Sequence, residues 1–145
     1  MRQEWQVKVR PKALAENVIQ GEKYRITMLT QGLIRLEYSE DGCFEDRATQ
    51  SVWNRDFPKT EFRCKETPDG LEIFTSRIHL VYDKQKFSPN GLSVQVLGQF
   101  INHGSIWHYG QDFKNLGGTA RTLDEADGAI PLEKGIMGRV GFSLL

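Results

Sequence analysis

The sequence carries no excess of charge in either sense: 19 lysines and arginines stand against 19 aspartates and glutamates, a formal net charge of zero at neutral pH. Without a net field nothing gathers nucleic acid or an anionic membrane by bulk electrostatics, so neither is expected as a partner. Cysteine is scarce. Cys43 and Cys64 form no C-x-x-C unit and match neither a zinc site nor a secreted disulfide framework, so two buried free thiols are expected. No run approaches the roughly 20 apolar residues of a membrane-spanning helix. The opening stretch from Met1 to Arg10 alternates polar and apolar residues and lacks the apolar core of a signal peptide. None of Asn17, Asn54, Asn90, Asn102 or Asn115 opens a glycosylation sequon. Together these absences predict a cytoplasmic protein.

Several catalytic devices are missing as well. There is no Gly-x-Ser-x-Gly elbow for serine hydrolysis. The three histidines, His79, His103 and His108, include no pair at i, i+4, and a structural or solvated role is expected for them rather than metal binding. The glycine-rich stretch from Gly135 to Gly141 lacks the lysine of a phosphate loop and its strand–turn–helix setting. Neither a metal nor a cofactor is expected.

What is present is period-two alternation. Tyr24, Ile26 and Met28 alternate with Arg25 and Thr27, and Ile34, Leu36 and Tyr38 share one face of the run Leu33–Tyr38. Gln31-Gly32 between them reads as a hairpin connection in which glycine accepts a positive φ. Phe62 and Cys64 alternate with charged residues before the turn signal Pro68-Asp69-Gly70. Leu71–Thr75 and Ile78–Tyr82 read as two further strands, Ser88-Pro89-Asn90-Gly91 as a turn, and Leu92–Leu97 as another strand. Only Lys12 to Ile19 has the look of a helical turn. Many short strands broken by Gly, Pro and Asn predict an all-β fold, an antiparallel β-sandwich. At 145 residues the chain fits a single domain, 1–145.

From Gly98 to Gly141 the alternation fades and glycine is dense, with Trp107, His108, Tyr109, Asp112, Arg121, Asp124, Glu125 and Asp127 close together. A long segment of this kind is usually functional or disordered. Order is expected to return in part over Ile136–Leu145, an apolar run that reads as a strand cut short in a piece of a longer protein. Asp124 and Asp127 could serve as paired carboxylates, the tools of glycoside hydrolysis, or could simply cap turns. Trp107-His108-Tyr109 and Trp53-Asn54-Arg55-Asp56-Phe57 join aromatic faces to polar groups, which suits sugars and equally suits burial against another domain.

The stretches Asn115-Leu116-Gly117-Gly118-Thr119-Ala120-Arg121-Thr122-Leu123-Asp124, Asp127-Gly128 and Gly135-Ile136-Met137-Gly138-Arg139 resemble the end of the N-terminal domain of glycoside hydrolase family 31, the α-glucosidase and α-xylosidase family. Tyr24-Arg25-Ile26, Ile34-Arg35-Leu36-Glu37-Tyr38, Phe44-Glu45-Asp46-Arg47-Ala48-Thr49 and Trp107-His108-Tyr109-Gly110 are similar to earlier parts of the same domain, so the resemblance runs from about Ala15 onward. It implies a β-sandwich of the galactose-mutarotase-like (supersandwich) type, packed beside a catalytic (β/α)₈ barrel and lending a loop to the substrate pocket. It implies an oligosaccharide at the domain border, with Asp124 and Arg121 as candidate sugar contacts and Trp107 as a stacking surface.

The family is retaining, and its nucleophile is an aspartate in a Trp-x-Asp-Met-x-Glu stretch of the barrel. No Asp-Met dipeptide occurs here, so Asp124 and Asp127 are not assigned to catalysis, and this chain alone is expected to be inactive. An apolar docking patch near the C-terminal residues, and self-association through it, would follow from separation from the barrel. The competing expectation is a stand-alone carbohydrate-binding module.

Overall fold

A computed structural model of the chain describes residues 7–98, 105–118 and 124–145. Eight strands form two antiparallel sheets: β1 (Val18–Gln20), β2 (Tyr24–Thr30) and β3 (Leu33–Tyr38) make one. β4 (Arg63–Thr67), β5 (Gly70–Phe74), β6 (Ile78–Tyr82), β7 (Leu92–Val96) and β8 (Ile106–His108) make the other, in sequence order. Every neighbouring pair is joined along the chain without a crossover, as hairpin-connected antiparallel strands allow. Among the described residues the only helical element is a 3₁₀ turn at Ala15–Asn17, inside the stretch with the look of a helical turn.

The alternation seen in the sequence becomes the core. Tyr24, Ile26 and Met28 of β2 face Leu71, Ile73, Ile78, Leu80, Tyr82, Leu92 and Trp107 of the second sheet in one buried cluster. Ile34, Leu36 and Tyr38 of β3 pack against it while staying half-exposed. The two sheets thus share one hydrophobic interior, the arrangement of a β-sandwich. Burying such side chains contributes about 1.5–3 kcal/mol each.

The turns form where expected, but one forms differently. Gln31 and Gly32 connect β2 to β3, yet Gly32 does not take a positive φ. A register shift between Met28 and Thr30 supplies the local bend instead, and Gly32 N donates to Thr30 Oγ1 at 3.2 Å.

Three expectations are corrected. Cys43 and Cys64 are both exposed rather than buried. Cys64 lies on β4, an edge strand with all five residues exposed, and partial desolvation followed by the nearby Glu66 carboxylate pushes its thiol pKa upward. The irregular segment does contain a strand, β8, too short at three residues for its alternation to register. Conversely, Ile136–Leu145 forms no strand: Gly138 makes an isolated bridge to Asn115, while Phe142 and Leu144 pack against the core.

Candidate functional site

The outer face of the first sheet carries an ion-pair cluster that the strand pattern alone does not announce. Arg25 on β2 and Glu37 on β3 are cross-strand partners in the ladder. Arg25 Nε and Nη2 donate to the two Glu37 carboxylate oxygens at 2.7 and 2.9 Å, a bidentate pair with both side chains 12% exposed. Arg25 Nη1 reaches Asp46 at 2.7 Å, and the guanidinium also lies over the Phe44 ring. Arg35 donates to Glu37 and to the Glu45 carbonyl. The glutamate bond, foremost, holds the Arg25 pKa up, whereas burial lowers that of Arg35. These contacts strap the 44–47 segment over the sheet. They join three stretches of the family resemblance, and they are structural.

A second assembly gathers two further stretches, some 20 residues apart in sequence. Asn115 Oδ1 accepts from the N–H groups of Gly117 at 2.8 Å and Gly135 at 2.9 Å, and Asn115 Nδ2 donates to the Gly135 carbonyl. Leu116 N donates to Met137 O at 2.9 Å, Gly118 N to Glu133 O at 2.5 Å and Arg139 N to Lys114 O at 3.3 Å. Glycine is required at two of these positions. A Cβ on Gly135 would lie 2.4 Å from Gly117 O, and one on Gly138 would lie 2.4 Å from Phe113 O. Gly135 and Gly138 are therefore close-approach positions of an Asn115-centred clamp that joins the 115–118 and 133–139 stretches. Phe113 is buried beside it, against Gly138.

Asp124 lies in the irregular 124–132 segment that leads into the clamp. It is exposed, in a turn with Glu125 at φ 59°, and among the described residues it makes no hydrogen bond or ion pair. Asp127 is likewise exposed. Arg121 lies outside the described residues, as does His103. Trp107 sits elsewhere: it is 9% exposed on β8 and belongs to the core cluster. Its indole N–H donates to Gln111 O at 2.9 Å, and its ring meets Tyr109 edge-on at 6.2 Å. With that little surface Trp107 offers no open ring face. Its neighbour Tyr109, 40% exposed, ends an aromatic column running through Phe87 and Tyr82 to Tyr24. No contact joins Trp107 to Asp124 among the described residues.

The surface around the clamp exposes apolar side chains between charged ones, Lys114, Glu133, Lys134 and Arg139. Leu132, Ile136 and Met137 are 54%, 62% and 66% exposed, with Leu116 beside them in the clamp. Two surface cavities lie on other parts of the domain. One of about 590 Å³ is lined by Gln31, Glu61, Phe62, Arg63, Phe74, Thr75 and Ser76; one of about 210 Å³ opens near the Pro68-Asp69 turn. Neither is lined by Trp107 or Asp124. Among the described residues no group of three or more His, Cys, Asp or Glu is placed to hold a metal ion, and no helix is long and apolar enough to cross a membrane.

Compared with known proteins, the chain matches no protein-family model and no curated protein.

Proposed function

We propose that this chain is the N-terminal accessory domain of a retaining α-glycosidase of glycoside hydrolase family 31, with a galactose-mutarotase-like sandwich. Its work is to support a catalytic (β/α)₈ barrel and to hold a loop at the border of the substrate pocket. The observation that carries this reading is the Asn115 clamp. The motif stretches at 115–118 and 135–139, which resemble the family, meet through hydrogen bonds, and the 124–132 segment leading into them carries an unpaired, exposed Asp124. The apolar surface at Leu132, Ile136 and Met137 beside it fits a face that packs on another domain. Asp124 and Arg121 keep their candidacy as sugar contacts. Trp107 serves the reading as a core anchor of β8 rather than as a stacking surface. A cytoplasmic setting belongs to the same proposal.

The test uses both the isolated chain and the chain joined to its barrel. Alone it should hydrolyse no p-nitrophenyl α-glucoside or α-xyloside. In the joined enzyme Asp124→Ala should lower kcat/KM about tenfold, the equivalent of one charge-assisted hydrogen bond. An unchanged kcat/KM would remove Asp124 from the pocket border. Hydrolysis by the isolated chain would refute the accessory role.

A stand-alone carbohydrate-binding module is the second reading, favoured by the exposed rings of Trp53 and Tyr109. Calorimetric titration of the isolated chain with maltose and isomaltose separates the two. Sub-millimolar affinity would favour the module.

A further inference from the structure

Among the described residues the first sheet ends on an open strand. β3 pairs with β2 on one side, and its other edge meets no backbone partner among the described residues. Which groups face that edge follows from one bond: Ser39 N donates to Lys23 O at 2.9 Å, continuing the register in which Glu37 faces Arg25 and Arg35 faces Thr27. Antiparallel ladders alternate hydrogen-bonded and non-bonded pairs, so Arg35 and Glu37 bond inward to β2. Ile34, Leu36 and Tyr38 therefore direct their N–H and C=O groups outward. Their side chains point to the core, where burial is incomplete.

The other edges are defended. β4 carries Arg63, Lys65 and Glu66 and is exposed throughout, and β1 and β8 are three residues long. Short or charged edges resist strand addition. β3 is longer, at six residues, and its charges are already paired within its own sheet.

We propose that β3 is a self-pairing edge, at which two copies of this chain join antiparallel about a two-fold axis at Leu36 and double the three-stranded sheet. The strand is self-complementary in this register. Leu36 faces Leu36 of the second copy, Ile34 faces Tyr38 on the core side, and Arg35 faces Glu37 on the outer side. The Leu36 and Ile34–Tyr38 pairs form the hydrogen-bonded positions, about six N–H···O bonds in all. The Arg35–Glu37 pairs fall at the close non-bonded positions, where opposite charges stabilise a ladder. Each row then alternates in sign: Arg25, Glu37, then Arg35 of the second copy. A slip of two residues sets Arg35 against Arg35 or Glu37 against Glu37, and a slip of one mixes the two faces. Only one register satisfies both faces.

Sedimentation velocity of the chain, up to about 1 mM to reach weak association, should show a monomer–dimer equilibrium. Leu36→Pro should leave it monomeric, because proline removes an outward N–H that the fold does not use and edge strands tolerate it. Far-ultraviolet circular dichroism checks that this variant folds. The second arm reads register, in a Cys43→Ser/Cys64→Ser background. Mixing chains bearing Arg35→Cys with chains bearing Glu37→Cys should give a disulfide-linked heterodimer, since non-bonded pairs bring Cα atoms to about 4.5 Å, within disulfide reach. Either chain alone should cross-link far less. A monomer at the highest concentration overturns the proposal. So does a dimer that survives Leu36→Pro and fails to cross-link in the mixture, which would place the contact elsewhere, as on the Leu132–Met137 surface.

Discussion

An alanine at position 135 would place its methyl carbon 2.4 Å from the carbonyl oxygen of Gly117, 3.0 Å from that carbonyl carbon and 3.1 Å from the Gly118 Cα. All three are backbone atoms, so the chain must move rather than a side chain rotate. Overpacking of this kind costs about 1–3 kcal/mol. The movement also strains the bonds from Gly135 N to Asn115 Oδ1 and from Gly118 N to Glu133 O, each worth about 1 kcal/mol net. Gly135→Ala should thus destabilise the clamp by about 2–4 kcal/mol. Native-state hydrogen exchange measures this directly. The Gly118 and Gly135 amides should exchange about 30- to 1,000-fold faster, or lose protection altogether, while the Ile73 and Leu80 amides keep theirs. Unchanged exchange at Gly118 and Gly135 would refute the close-approach argument. An equal loss in β5 and β6 would show that the clamp unfolds with the core and is not a separable corner.

Leu80 is fully buried between the sheets, and Leu80→Ala should cost about 2–5 kcal/mol, read as a lower urea midpoint with an unchanged slope. Arg25→Ala leaves Glu37 half-enclosed without its bidentate partner and should cost about 2–3 kcal/mol by the same assay; Arg25→Lys should recover little, because an ammonium cannot form the fork. The Arg47 side chain, followed by its own N–H, holds the exposed Glu45 carboxyl down to about 2 from an ordinary 4.5. A carboxylate depressed in the folded state stabilises above its ordinary value and loses that contribution as pH falls through the folded one. Melting temperature should therefore decline between about pH 4.5 and pH 2, and Arg47→Ala should flatten part of that decline.

The Arg25–Glu37 pair shows how far a local pattern reaches. Alternation put both residues on the polar face of their strands, and a hairpin at Gln31-Gly32 is enough to bring them opposite each other. The pattern did not contain Asp46 and Phe44, which arrive from a loop strapped across that face. Arg55 is similar: 3% exposed, with Nη1 donating to the carbonyls of Pro11 and Arg47, it joins segments 44 and 8 residues away. Asn17 does the same in the interior, bonding Pro58 O and Thr60 N. Nothing in the neighbouring residues of either side chain signals such a reach.

The candidate site divides along the same line. Asp124 was legible as an acidic residue in a glycine-rich loop, and it is exposed there. Trp107 beside His108 and Tyr109 looked like surface aromatic chemistry, but β7 pairs Val94 with it and so turns the indole inward. Asn115 was legible only as part of a resemblance; its role as a clamp depends on Gly135, twenty residues on, arriving within hydrogen-bond reach.

By itself the sequence determined the all-β class, most of the strands and turns, and the apolar faces of β2 and β3, because each follows from a two-residue period and from glycine, proline and asparagine acting on their own backbone. The tertiary structure alone decided that both thiols lie outside, that Trp107 lies inside, that Gly135 and Gly138 are contact points, and that one edge of β3 meets no backbone partner among the described residues. Those outcomes depend on which distant segments meet, and the cost or gain of burying a group is set by those neighbours and not by the residue that carries it.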